Sequence, residues 1–349
     1  MIAYAMYDFS AARSFAFLVA GAAIVLGLCL PSFSFLSSTL RSFYSNPIPS
    51  SHKRIPSGMK MGAENSVPVK TPVYFLSHGG PNIVEEPESP AYQSLEDIGR
   101  EITEQVNPKA VVIFSAHWQG RQNGVLVNTA ELTDLIYDFY GFPDWYYELK
   151  FPHIGSRDLA QNVMSKLEQA GIGFTPVNRG LDHGAWVPLR IAFDPEKNPL
   201  RVPIVQVSIF KNEDPDEHYR LGQAVAKLRE EGVLIIGSGM AVHNLRDMWY
   251  AAGESRPLPY VGSFDDALKR AATAEPSQRQ REMSALLKRG DARQAHPSFD
   301  HLLPCHVAAG AAGDDIGTQL FTMWETSMSW AQYRFGDLGG NLTTISANL

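Results

Sequence analysis

From about residue 70 onward the chain alternates short, almost uninterrupted apolar runs with amphipathic ones, and that alternation leaves it few architectures. "PVYFLSHGG" is followed by residues 92 to 106, where Leu95, Ile98, Ile102 and Val106 share one helical face. "AVVIFSAHW" and "VLVNTA" read as strands, and residues 157 to 170 as a helix. "FTPVN" and "RVPIVQVSIF" are strand-like. Residues 216 to 231 form a helix with Leu221, Ala224, Val225 and Leu228 inward, and "GVLIIGSGMAVHNL" follows directly. Apolar strands separated by helices predict an α/β fold with a mostly parallel central sheet, helices on both faces and a single domain over residues 70–345. After about residue 262 the pattern becomes helical, and "QLFTMWETSMSWAQYRF" is expected to return to the sheet as an edge or antiparallel strand.

Composition excludes several classes. With 349 residues, 44% hydrophobic and 11% aromatic, the chain can bury a sizeable core. Thirty basic against thirty-seven acidic residues, with no block of five like charges, argue against a nucleic-acid partner. Two cysteines, Cys29 and Cys305, allow neither a disulfide framework nor a CxxC zinc site, so the globular part reads as intracellular and reduced.

The N-terminal 69 residues differ. "FAFLVAGAAIVLGLCL", residues 15 to 30, contains no charge; it follows Arg13 and ends at Pro31. At about 1.5 Å per residue it reaches roughly 24 Å, against a hydrocarbon core of about 30 Å, and Phe33, Phe35 and Leu36 could extend it. The expectation is a transmembrane helix and membrane association through residues 15–30. A cleaved signal peptide and a mitochondrial presequence are the alternatives, the latter because residues 31 to 63 are Ser-rich, carry Arg41, Lys53, Arg54 and Lys60, and have no acid. The stretch from Pro31 to about Pro68 reads as a linker.

Ten histidines remain to be explained. His78 follows "VYFL", His117 follows "VVIFSA", and His243 comes shortly after "VLIIGSG". All three fall at carboxyl ends of predicted strands, where open α/β sheets build their sites, and small residues beside them allow close approach of a ligand. His183 in "LDHGAW" and His301 in "HPSFDHLLPCH" have a similar setting. His301 and Cys305, four apart, would share a helix face as a His/Cys zinc pair, although Cys305 reads better as core packing. His52, His153 and His218 are read as solvated or structural, in linker, loop and helix-surface settings. Trp118 and Trp186 are read either as walls of a site or as plain core. Imidazoles without cysteine and with few acids suit iron or zinc better than calcium or magnesium.

"SHGGP", "FSAHW", "LDHGAW", "GSGMAVHNLRD" and "HPSFDHLLP", in this order over residues 72 to 340, resemble the extradiol ring-cleaving dioxygenases of the LigB superfamily, and within it the 4,5-DOPA extradiol branch. The resemblance implies that residues 70–345 are a catalytic domain. It also implies Fe(II) for activity, zinc as an ion able to occupy the same site, and a catecholic substrate, L-DOPA or a related phenolic, opened by O₂ to a semialdehyde. His78 and His117 match metal ligands, and His301 matches a further ligand. The counterpart of His243 is counted with the ligands in this branch and acts as acid/base in protocatechuate-cleaving relatives. His183 matches a histidine that hydrogen-bonds substrate or oxygen. Those relatives complete their site with a glutamate, whereas this chain has His301 with Asp300 beside it. Two other classes stand beside this one: a zinc hydrolase, and a metal-free binding protein on the same fold.

Overall fold

The computed structural model describes residues 70–251 and 256–338. In chain order the strands are β1 (Val73–Ser77), β2 (Ala110–Gln119), β3 (Gly124–Asn128), β4 (Gly173–Val177), β5 (Ile204–Ile209), β6 (Val233–Gly239) and β7 (Val242–His243). They continue with β8 (Gly317–Phe321), β9 (Trp324–Glu325), β10 (Met328–Ser329) and β11 (Gln332–Phe335). The helices used below are α1 (Pro90–Glu101), α2 (Arg157–Gln169), α3 (His183–Ala192), α4 (Pro215–Val225), α5 (Leu245–Tyr250), α6 (Pro259–Ala272), α7 (Pro276–Leu286), α8 (Ala292–Ala295) and α9 (Leu303–Ala311).

Eight strands form the large sheet in the order β4-β3-β5-β2-β6-β1-β11-β8, and β7, β10 and β9 form a small one. Pairings β1 to β6, β6 to β2, β2 to β5 and β3 to β4 are parallel. β11 is antiparallel to β1 and to β8, so the C-terminal apolar segment does return to the sheet antiparallel. The expected α/β architecture, a mostly parallel sheet clad by helices, is therefore the one observed.

Side-chain alternation shows why the central strands are apolar at consecutive positions. On β1, Val73 and Phe75 join one core while Tyr74 and Leu76 join another; on β2, Val112 and Phe114 oppose Val111 and Ile113; on β6, Val233 and Ile235 oppose Leu234 and Ile236. Successive residues of a strand face opposite sides, so a sheet covered on both faces buries both sets, and the polar residues it does carry, such as Ser115 and Gln206, are hydrogen-bonded. The first core is closed by residues of α2, α4, α6, α7 and α9, the second by residues of α1 and α3.

Four expectations need correction. The transmembrane helix and the membrane association drawn from it are not upheld: no helix of the described residues is long and apolar enough to cross a membrane. The longest of them, α6, has 14 residues, about 21 Å at the usual rise, and carries Asp265, Asp266, Lys269 and Arg270. Residues 15–30 themselves, with the linker and His52, lie outside the described residues. His218 is not on a helix surface: it is fully buried, with its Nδ1 2.7 Å from the Asp214 carbonyl. The helix expected over residues 216 to 231 ends as α at Val225 and continues as a 3-10 turn to Glu231, closed by Gly232 at φ 85°. His301 and Cys305 do not share one helix, since His301 ends a 3-10 turn, Phe299–His301, before α9 begins. Cys305 is fully buried in the first core, where burial pushes its thiol up, and it is core packing.

Candidate metal centre

β1, β2 and β6 are adjacent and parallel, so their carboxyl ends open at the same edge of the sheet. His78 is the residue after β1, and its backbone N–H donates to the Gly239 carbonyl at the end of β6 (2.9 Å). Its Nδ1 is 2.6 Å from the Gly79 carbonyl, which fixes the proton on Nδ1 and leaves Nε2 as the free lone pair. That Nε2 is buried without a hydrogen-bond partner. Gly79 takes φ 64°, and a side chain there would collide with the Trp330 indole, so only glycine permits this turn.

His117 lies near the end of β2, where the register with β5 is irregular between Ser115 and Gln119. Such a bulge re-aims the side chains around it. His183 is the first residue of α3, whose N-cap is Asp182. The Asp182 carboxylate is fully buried and accepts from Ser115 Oγ (2.6 Å), Gln206 Nε2 (2.6 Å), Arg179 Nη1 (2.8 Å) and the Ala185 N–H (3.2 Å). Through it the start of α3 is tied to β2 and β5. Gly184 carries no side chain because His117 Cδ2 and Ser115 Oγ would each lie 2.6 Å from its Cβ.

His243 is on β7, paired with Met328 of β10. His301 arrives on the 3-10 turn, whose carbonyl accepts the Met240 N–H (2.9 Å). Its backbone lies so close over Gly239 that a Cβ there would overlap the His301 carbonyl.

The five rings meet. Ring centroids of His78 and His117 are 5.0 Å apart, His78 and His183 5.6 Å, His78 and His301 5.3 Å, and His117 and His183 3.9 Å. His243 stacks on His301 at 3.7 Å and 10°. The Nε2 atoms of His117 and His301 are 3.1 Å apart. His78, His117 and His183 each offer a ring nitrogen within 4.8 Å of the others, a group that could hold a metal ion. Asp300 Oδ2 lies 3.3 Å from His301 Nδ1, the nitrogen opposite the one facing His117, so this acid stands behind the ring.

Burial disfavours the charged form of His78, His183, His243 and His301. Desolvation lowers His78 and His301 well below the usual imidazole range, and neighbouring imidazoles push the same way. Burial likewise brings His243 down to about 3. Burial lowers His183 against the opposing pull of Asp138. Neutral imidazoles keep their lone pairs, and a group of them that resists protons is a good receptor for a divalent cation.

Sequence reasoning did not find Asp138. It lies in the long connection between β3 and α2, which has no periodicity to mark it. Its Oδ1 is 2.9 Å from both the Nδ1 and the backbone N of His183, and its Oδ2 is 3.3 Å from His117 Nδ1. Burial alone would raise this carboxyl, but hydrogen bonds from the two histidines outweigh it and hold Asp138 far below the usual carboxylate range. The only sequence signal was its place within "YDFYGFP", an aromatic-rich loop.

The remaining histidines among the described residues serve the fold. His296 Nε2 is 3.0 Å from the Ala241 carbonyl and His306 Nε2 3.0 Å from the Met283 carbonyl, while His153 meets the Phe151 carbonyl. Trp186 is fully buried, and its indole N–H donates to the Ile136 carbonyl, which makes it core. Trp118 lies beneath the Arg179 guanidinium at 4.6 Å.

An imidazole cluster that could hold a metal ion, at the open edge of an α/β sheet, defines a class of candidate metal-binding proteins, and comparison with known proteins narrows it. Residues 72–335 match the family described as the catalytic LigB subunit of aromatic ring-opening dioxygenase, and the chain belongs to that family. It is 37% identical over 281 residues to a 4,5-DOPA dioxygenase extradiol of Beta vulgaris, covering 79% of this chain and 99% of the relative. A protein of the same description from Escherichia coli K12 is 32% identical, over 69% of this chain and 85% of its own length. A crystal structure of an uncharacterized Escherichia coli K12 protein superimposes with a TM-score of 0.61 at 28% identity, covering 76% of this chain and all of that one. At the level of the family the chain is an extradiol ring-cleavage dioxygenase, which implies a small-molecule substrate and O₂.

Proposed function

We propose that this chain is a non-haem Fe(II) dioxygenase that inserts O₂ into a catecholic ring, L-DOPA or a related phenolic, and releases a ring-opened semialdehyde. The observation that carries this reading is the meeting of five imidazoles from five separate segments at the carboxyl ends of β1, β2 and β6. The names of the relatives from Beta vulgaris and Escherichia coli support the substrate class.

His78, His117, His243 and His301 would hold the iron, with zinc able to occupy the same place. The donor set fits such an ion, because burial holds His78, His243 and His301 in their neutral form and a buried His78 Nε2 lacks any partner within the protein. Iron bound there supplies a coordination face on which the two substrates meet.

The chain's own residues orient and move protons. Asp138 accepts the His183 Nδ1–H, which leaves His183 Nε2 free to take the second phenol proton and later return it. Burial keeps His183 neutral and therefore able to accept. His243, stacked on His301, is available for the same exchange. Phe139, 6% exposed and edge-on to His183 at 5.7 Å, and Trp330 over Gly79 supply apolar walls that keep water out.

One residue has a second reading with its own observation. The ring nitrogens of His78, His117 and His183 fall within 4.8 Å of one another, which would make His183 a ligand. Elemental analysis of His183→Ala separates the two, since a ligand's loss empties the site and an acid/base group's loss does not. The reaction itself is tested by anaerobic reconstitution with Fe(II) and oxygen uptake against a panel of catechols. One O₂ per catechol and a yellow product are expected; turnover without oxygen, or with zinc alone, overturns the proposal.

A further inference from the structure

We infer that Asp138 is a positioning residue shared by two site histidines, setting the tautomer of His117 and His183 together so that both present Nε2 to the same point. The inference rests on the metal-site reading above. It stands on geometry: one carboxylate reaches two imidazoles through its two different oxygens, Oδ1 to His183 Nδ1 at 2.9 Å and Oδ2 to His117 Nδ1 at 3.3 Å.

The consequence follows from elementary hydrogen-bond inventory. A neutral imidazole carries one N–H and one lone pair, and a carboxylate can only accept. Each ring must therefore put its proton on Nδ1, toward Asp138, and its lone pair on Nε2. The Nε2 of His117 faces His301 Nε2 at 3.1 Å, so the freed lone pair lies within the cluster rather than toward bulk. The two rings lie 3.9 Å apart between centroids, which makes one acceptor between them the compact solution.

The clamp is itself held. Asp138 Oδ1 also accepts the backbone N–H of His183 (2.9 Å), the first residue of α3, where unsatisfied backbone donors and the helix dipole favour a negative charge. Neighbours on both sides anchor the loop: Ile136 accepts the Trp186 indole N–H and bonds through its own N–H to the Leu181 carbonyl, and the Tyr137 hydroxyl donates to the Leu149 carbonyl. Phe139 packs edge-on to His183. A carboxylate held this firmly can orient two rings at once.

The inference makes Asn the discriminating replacement. Asp138→Asn keeps the volume and one acceptor, and the two His183 donors at Oδ1 claim that acceptor. The amide NH₂ then faces His117 Nδ1 and can only donate, which drives the His117 proton to Nε2 and takes away its lone pair. A role in packing alone predicts that Asn restores what Ala destroys. Positioning predicts that Asn fails nearly as badly as Ala.

The test uses the full chain and Co(II) as probe, titrated into the metal-free protein and read by visible absorption, with long-range ¹H–¹⁵N spectra of the imidazoles before metal is added. The wild type is expected to show the Nδ1–H tautomer for His117 and His183. Asp138→Asn should show His117 as Nε2–H, and both Asp138→Asn and Asp138→Ala should weaken Co(II) binding by roughly 10- to 100-fold, the usual worth of a carboxylate behind a ligating histidine. Unchanged thermal unfolding of the metal-free Asn variant would show that the fold is intact. Co(II) binding within 3-fold of wild type in Asp138→Asn, or an unchanged His117 tautomer, overturns the inference alone. A wild type that binds no Co(II) overturns it together with the metal-site reading.

Discussion

Gly184→Ala is the sharpest test of how tightly the site is packed, because it adds one methyl group beside His117. Its Cβ would stand 2.6 Å from His117 Cδ2 and 2.6 Å from Ser115 Oγ. Carbon atoms in good contact are about 3.5 to 4.0 Å apart, so the imidazole has to retreat by roughly 1 Å. It cannot do so freely, since its Nδ1 lies against Asp138 and Ser115 Oγ is committed to Asp182. Crowding of this kind costs about 1–3 kcal/mol, whereas replacing a helical glycine by alanine returns about 1 kcal/mol, so the net loss is about 0–2 kcal/mol. A domain of this size should then lose no more than about 8 °C of melting temperature. Function should suffer far more, because a displacement of about 1 Å at a reacting centre costs on the order of 10²-fold in rate. Gly222→Ala is the control: it is also helical and also crowded, against the Val307 carbonyl where α4 crosses α9, but no site histidine is involved. Differential scanning calorimetry of both metal-free variants, with Co(II) affinity and turnover, gives the comparison. Gly184→Ala with affinity and rate within 3-fold of wild type would refute the close packing of His117 on α3.

His78→Ala and His117→Ala should lose metal and activity together by elemental analysis. His183→Ala should keep its metal yet turn over roughly 10²- to 10⁴-fold slower, and His243→Ala should weaken metal binding less than His78→Ala does. Acid should destabilise the metal-free protein. Burial holds His218 and His296 down to about 4 in the fold, against about 6.5 unfolded, so below pH 6.5 the unfolded chain binds protons that the native state refuses. Each group then removes roughly 1 kcal/mol per pH unit between pH 6.5 and 4, and a melting temperature that rises on acidification from pH 6.5 to 5 contradicts this. A chain starting at Val67 should fold and react, since it keeps the Thr71 bonds to the Arg229 and Val233 carbonyls and the Lys70 pair with Asp315. One starting at Val73 loses them and should melt lower in the same scan.

The period of the apolar residues determined the fold class. Strands such as "VVIFSA" and "VLIIGSG" are apolar at consecutive positions, and only a sheet covered on both faces can bury such residues. The same logic marked His78, His117 and His243, because a histidine at or shortly after the end of an apolar strand is carried to the sheet's carboxyl edge. Three matters needed the tertiary structure. His218 carried the sequence pattern of an exposed helix position and is buried, because α9 packs across α4 there and hydropathy reports a residue's chemistry, not its neighbours. His301 needed the approach of a 3-10 turn over the bare backbone of Gly239, a contact between residues 62 positions apart. Asp138 needed most: no local pattern singles out one acid in an irregular loop. Its charge becomes meaningful only when the fold brings two imidazoles from β2 and α3 to its two oxygens, a bond between partners 21 and 45 residues away that sequence periodicity does not record.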